Sequence, residues 1–388
     1  MSQSPPTTNL RPFILFYIWH YIAIGVFYPF LSLYLAQAGF DGVQMGLLFG
    51  LTPIVSLLVQ PVWGIVADVL SMRRRLVTAA CVVSGLVGLL LPLGQGFAWV
   101  MGVLLALTLV RSPILPIANA ITLEALSPRR ERFPQIRLWG SLSFAAASFI
   151  VGSWVVDRNV GWIVYLFVAG ILMTALASHR LPSSRAQFGA RWWEAWAMAR
   201  GNPQFLLFLL ALVLLQFTHP LATAYLPLYF KELGAPGWTV GAAWGIAATL
   251  EAPFMAVTPR LIRRYGAKRV LVVLTAAVPI RWLLLRALAN PFLILPFQFL
   301  HSMAAAAYYA AAITYVDSLV PPQWRATGQA FYGAVSDGLA IGGGSLVFGW
   351  LYQQVGMGQA FLVGAAVGFV GWLVLLVGNR EQGIGNKD

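Results

Sequence analysis

Residues 33–77 read LYLAQAGFDGVQMGLLFGLTPIVSLLVQPVWGIVADVLSMRRRLV, and residues 228–272 read LYFKELGAPGWTVGAAWGIAATLEAPFMAVTPRLIRRYGAKRVLV. The two stretches align without a gap at an offset of 195 residues, half the chain. Leu33 falls on Leu228, Tyr34 on Tyr229, Gly39 on Gly234, Gly46 on Gly241, Gly50 on Gly245, Arg74 on Arg269 and Leu76 on Leu271. A unit built twice from membrane helices gives two bundles facing each other, and the gap between them is the natural path for a solute.

Composition identifies the solvent. Apolar residues make up 59% of the 388 and charged residues only 10%. A water-soluble chain of this length cannot hide that much apolar surface, so the expected environment is a lipid bilayer. Spans of about 20 residues joined by short loops leave room for about twelve helices. Long apolar runs without alternation favour helices over a barrel. The single cysteine, Cys81, lies inside an apolar run and excludes a disulfide framework. The first ten residues lack a charged n-region, a short apolar core and a cleavage site, so the first apolar run is expected to be a retained span.

Spans are expected at 12–36, 43–67, 76–94, 97–121, 135–156, 160–179, 203–230, 238–259, 270–288, 292–316, 327–353 and 357–378. The net charge of +13 is not a nucleic-acid signal, because its arginines and lysines cluster in alternate loops. With both termini inside, the inner loops hold Arg73, Arg74, Arg75, then Arg129, Arg130, Arg132, and later Arg263, Arg264, Lys268 and Arg269. The outer loops hold only Arg158 and Lys231. That bias predicts a multi-pass protein of a bacterial-type inner membrane with both termini cytoplasmic.

The expected division is a six-helix bundle over 1–180, a cytoplasmic linker over 181–202 and a second six-helix bundle over 203–388. Within the linker, RWWEAWAMAR (191–200) groups three tryptophans with flanking arginines, the pattern of an interfacial helix. The small-residue run GLAIGGGSLVFG (338–349) is expected to let a neighbouring helix approach closely.

These residues resemble the major facilitator superfamily. GIVADVLSMRRR (Gly64, Asp68, Arg73, Arg74, Arg75) is similar to that superfamily's loop between spans two and three. The resemblance implies a gate, in which the acid and the basic cluster latch helix ends across the two-bundle seam. A narrower resemblance is to the group of lactose permease, nucleoside–proton symporters and phenylpropionate permease. It rests on IRLWGS (136–141), Glu251, Arg281 with Trp282, QFLH (298–301) and ATGQAFY (326–332). It implies an all-α integral membrane protein of twelve helices in two pseudo-symmetric bundles. The order Glu251, Arg281, His301 resembles the permease's series for sugar and proton coupling. Departures are Ala304, where the permease has a further carboxylate, and Asn119, where it has an acid in span four.

Ionisable groups at bilayer depth are costly and need partners or water. Those at depth here are Arg111, Glu251, Arg281 and Asp337, with His20, His219 and His301; Arg137 lies nearer the inner end of span five. Glu251 is the first candidate to carry a coupling proton, with Asp337 and His301 as further candidates. Permanent ion pairing is the structural alternative for both acids. Arg281, Arg137, Arg111, Asn119, Gln298, His20 and His219 are candidates to bind solute, as are the aromatic faces of Trp19, Trp244 and Trp282. No pair of residues has zinc-ligand spacing, so no metal is expected.

Enzyme signatures are absent: there is no GxSxG, no Walker loop, no HExxH and no dinucleotide fingerprint on a strand. The expectation is a monomeric, proton-coupled symporter of a small polar or amphipathic organic solute, without cofactor, nucleic acid or enzymatic activity. A sugar or nucleoside is favoured by resemblance. One alternative is an uncoupled facilitator or exporter of an aromatic or other organic anion, which three arginines against two deep acids would suit. Another is a transport-inactive receptor or scaffold, for which soluble appendages or long tails would be expected.

Overall fold

The computed structural model describes residues 9–70, 72–127, 132–182 and 200–378. Among them every regular element is helical. The expected interfacial helix at 191–200, apart from Arg200, lies outside the described residues, as do Arg129 and Arg130.

Ten described helices are long and apolar enough to cross a bilayer. The first nine are α1 (Arg11–Gln37), α2 (Gly42–Ala67), α3 (Arg73–Leu93), α4 (Phe97–Ala125), α5 (Phe133–Val156), α7 (Pro203–Glu232), α8 (Trp238–Tyr265), α9 (Ala267–Ala287) and α10 (Pro291–Leu319). A shorter apolar helix, α6 (Trp162–Ser178), lies between α5 and α7. The tenth, Thr327–Val377, has 51 residues and would measure about 75 Å if straight, more than twice a bilayer core. It is not straight. Gly356 has φ 77° and ψ 172°, a left-handed conformation open in practice only to glycine. On one side of it, Gly344 and Gly349 meet Phe217 and Tyr225 of α7 in ascending order; on the other, Gly364, Gly371 and Gly378 meet Leu221, Leu214 and Leu207 in descending order. The chain therefore reverses at Gly356, giving α11 (327–355) and α12 (357–377). With α6, the described residues hold twelve apolar helices.

The repeat in the sequence is a repeat in the packing. α2 packs along α11, and α8 packs along α5. The 195-residue offset carries α2 onto α8 and α5 onto α11, so one contact is made twice. The repeated glycines lie in it. A Cβ on Gly46 would stand 2.8 Å from the Ser345 carbonyl oxygen, and one on Gly50 would stand 2.9 Å from that of Gly342. Gly241 abuts the Ser148 carbonyl in the same way. Only the absence of a side chain lets these backbones touch.

Both seams close in the first halves of α2 and α8, at the end of the molecule that carries the 38–41 and 233–237 turns. Toward the other end, where Arg73 and Arg263 lie, α2 and α11 still meet where Gly338 abuts the Leu57 side chain, and a cavity opens beside that contact. Residues 52–65 of α2 and 330–338 of α11 face a cavity there. Pro53 and Pro61 interrupt the backbone ladder of α2 along that cavity, and Pro253 and Pro259 interrupt the corresponding half of α8.

Candidate functional site

The chemistry of the second half gathers around one arginine. Arg281 on α9 is 5% exposed. Its Nη1 lies 3.0 Å from His301 Nδ1, and its Nη2 donates to Gln298 Oε1 at 2.8 Å. A guanidinium only donates, so His301 accepts at Nδ1 and carries its proton at Nε2. The guanidinium lies over the Trp282 ring at 4.8 Å. Trp282 is itself fixed, because its indole N–H donates to Thr218 Oγ1 at 2.9 Å and its ring stacks on Phe361. Ser302 donates to the Ala247 carbonyl at 2.8 Å, tying α10 to α8. Arg281 Nε has no hydrogen-bond partner.

This cluster forms one wall of a cavity of about 280 Å³ between α7, α8, α9, α10 and α11. Glu251, Asp337, His219, His301, Trp244, Tyr308 and Tyr309 also line it. The His219 and His301 rings lie 5.7 Å apart, and Trp244 meets His301 edge-on at 5.9 Å. Trp244 also touches Phe144 of α5, so this wall reaches across the seam. Tyr309 is 57% exposed although it sits in mid-helix, because it faces the cavity. Tyr308 and Tyr309 lie in a widened π turn, Ala307–Ala312, and Asp337 lies in another, Ala334–Ala340. Such one-turn irregularities concentrate at functional sites.

A second cavity, of about 640 Å³, opens between α1, α2, α4 and α11. Thr52, Ser56 and Gln60, one helical turn apart, give α2 a polar stripe along it. Arg111 lines it with its guanidinium 4.7 Å from the Tyr28 ring and its Nε unpartnered. Asp337 lines both cavities, so its carboxylate marks where they adjoin. Among the described residues neither Glu251 nor Asp337 forms an ion pair. Asp337 accepts from Ser336 at 3.2 Å. Glu251, half-buried on α8, feels the positive field of Arg137 across the α5–α8 seam.

A family model described as "MFS_1 like family" matches residues 10–363. The chain belongs to that family of the major facilitator superfamily. It is similar to the maltose permease of Geobacillus stearothermophilus, with 31% identity over 97% of this chain and 96% of that one. It is also similar to the probable 3-phenylpropionic acid transporter of Escherichia coli (strain K12), with 28% identity over 88% and 91%. The crystal structure of a mutant of the nucleoside transporter NupG superposes with a TM-score of 0.87 at 19% identity, covering 96% of this chain and all of that one. As a facilitator-superfamily protein the chain is a multi-pass membrane transporter of the secondary type and not an enzyme.

On this facilitator fold the sequence candidates separate into groups. Glu251, Arg281, His301, His219, Trp244, Trp282 and Asp337 share the smaller cavity, and Gln298 holds Arg281 from behind. Arg111 and Gly64 line the larger one. Arg137 lies 5.9 Å from the Tyr21 ring and lines neither. Nor do Trp19, His20 and Asn119, of which the last two pack within the first half. His20 is 1% exposed and stacks on Phe16, while Asn119 accepts a 2.7 Å bond from the Tyr17 hydroxyl. Of the gate residues, Arg73 is buried, Arg74 reaches the Leu181 carbonyl at 3.4 Å and Arg75 reaches the Met72 sulfur. The side chain of Asp68 lies outside the described residues. Sequence reasoning missed Thr52, Ser56 and Gln60; their four-residue spacing in an otherwise apolar helix is the signal that finds them.

Proposed function

We propose that the protein couples a proton to the uptake of a small polar or amphipathic organic solute, a sugar or nucleoside before others, by alternating access. The observation that carries this reading is two carboxylates that form no ion pair among the described residues, Glu251 and Asp337, on the same cavity as the Arg281–His301–Gln298 cluster. A carboxylate locked in an ion pair would stay ionised through the cycle. One facing a cavity that alternates between open and closed can take up a proton and give it back. His301 Nε2 and the aromatic faces of Trp244 and Tyr309 offer the hydrogen bonds and stacking surface a ring-shaped polar solute requires.

In this reading the arginine-rich end faces the cytoplasm of a bacterial cell, so the cavities open inward and the outer end is sealed. The halves, 1–180 and 203–388, rock about the α2–α11 and α5–α8 seams, and the loop of Asp68 and Arg73–Arg75 closes the inner end. The maltose, nucleoside and phenylpropionate relatives support a small organic solute.

The test is flux in proteoliposomes across candidate sugars, nucleosides and aromatic acids, with and without a pH gradient. Solute-driven alkalinisation of the outer medium is expected, along with its loss in Glu251→Gln while counterflow of labelled solute persists. Accumulation that ignores the pH gradient in the unmodified protein would refute coupling. It would favour the rival reading, uncoupled movement of an organic anion. That rival draws on Arg111 and Arg281, two cavity-lining cations to which no carboxylate is bonded among the described residues.

A further inference from the structure

The sealed end carries one device twice. The first N–H groups of a helix have no partner within it, and at each seam a side chain from the opposing half takes one of them. At the start of α8, the Gly237 N–H donates to both carboxylate oxygens of Asp157, at 2.8 and 3.0 Å. Asp157 follows directly on Val156, the last residue of α5. At the start of α2, the Val43 N–H donates to Gln353 Oε1 at 2.9 Å, and Gln353 is close to the end of α11.

The 195-residue offset carries Gly42–Val43 onto Gly237–Trp238 and places Asp157 and Gln353 within one residue of each other on their repeats. Both sites exclude a side chain on the capped helix. A Cβ on Gly237 would lie 2.8 Å from Asp157 Oδ1 and from the Gly152 carbonyl oxygen. One on Gly42 would lie 2.6 Å from the Gly349 carbonyl oxygen and 3.1 Å from Gln353 Cβ.

We propose that Asp157 and Gln353 are a matched pair of latches that hold this end of the translocation path shut. Each bond joins the two halves, so each exists only in the sealed state and breaks when the end opens. The pair is unequal. Asp157 brings a formal negative charge to the positive end of α8, whereas Gln353 offers a neutral oxygen to α2. Asp157 is therefore the stronger latch. Neither residue touches the cavities, so the role is positional, and it holds whatever solute is carried.

The test reads conformation directly. Cys81 is the only cysteine in the chain, so Cys81→Ala gives a background for spin labels at Gln95 and Ala289, in the α3–α4 and α9–α10 turns. Their separation is measured by double electron–electron resonance in proteoliposomes. Loss of a helix cap corresponds to about a fivefold change in the ratio of long to short separations for Gln353→Ala, and about fivefold to tenfold for Asp157→Ala. The double variant approaches the product of the two. Asp157→Asn, which keeps an acceptor and loses the charge, falls between the parent and Asp157→Ala; it also stands in should the alanine variant fail to fold. A ratio within twofold of the parent in Asp157→Asn and Gln353→Ala, or a larger effect from Gln353→Ala than from Asp157→Ala, overturns the proposal.

Discussion

Replacing Gly46 by leucine perturbs the sealed end without touching either cavity. The new Cβ would lie 2.8 Å from the Ser345 carbonyl oxygen and 3.3 Å from Gly349 Cα. Both neighbours are backbone, so neither can rotate away, and the rest of the leucine has no room beyond them. Overpacking of this kind costs about 1–3 kcal/mol. The contact exists only while α2 lies against α11, so the cost falls on the sealed state alone. The conformational equilibrium then moves toward opening by about 5- to 150-fold. Gly241→Leu does the same at the α5–α8 seam, and with no shared partner the two effects add. The assay is the labelling rate of Ala305→Cys, on the cavity wall, in the Cys81→Ala background, by an impermeant maleimide added from the sealed side. A rise of at least fivefold is expected for Gly46→Leu and a further rise for the double variant. An unchanged rate in folded protein would refute the reasoning that backbone contact at these glycines keeps the end shut.

Arg281→Lys keeps the charge and loses the fork. One ammonium nitrogen cannot stand at both the Nη1 and Nη2 positions that meet His301 and Gln298, and Gln298 is 2% exposed, so an orphaned acceptor there costs about 1–3 kcal/mol. A lower thermal midpoint in detergent is expected, with weaker solute binding by calorimetry; an unchanged midpoint would show that the fork is not a structural fixture. Gly356→Ala forces a Cβ into a backbone region that glycine alone tolerates, at about 1–3 kcal/mol. Its thermal midpoint falls while transport per folded molecule persists. Asp337→Asn removes the carboxylate shared by the two cavities; pH-gradient-driven accumulation falls, and solute binding at fixed pH, read by calorimetry, is retained.

The architecture was legible because its causes act on sequence directly. Lipid demands apolar spans, charge sets apart alternate loops, and the close approach of two backbones demands glycine at Gly46, Gly50 and Gly241. That last requirement is why the repeat survives at those positions. The ionisable groups at bilayer depth were legible too, since Glu251, Arg281 and Asp337 stand out in any apolar run. Arg281 and His301 lie on either side of the turn between antiparallel neighbours and are hydrogen-bonded; the resemblance placed both in one series without pairing them. Rotation about the helix axis was not legible. Depth along a span says nothing about which side a residue faces, and spans apolar all round carry no stripe to fix it. His20 and Asn119 have the right depth but turn into the first half. Thr52, Ser56 and Gln60 turn toward the cavity but carry no charge to advertise it.

The widened turns at Ala307–Ala312 and Ala334–Ala340 bear on how such a wall is read by mutagenesis. Where the bonding step lengthens from four residues to five and back, the ladder leaves a main-chain oxygen over. Such an oxygen on the wall is an acceptor that substituting its own side chain leaves in place. Scanning alanines through Tyr308, Tyr309 and Asp337 will strip this region of its phenols and its acid and still leave that part of its polarity intact.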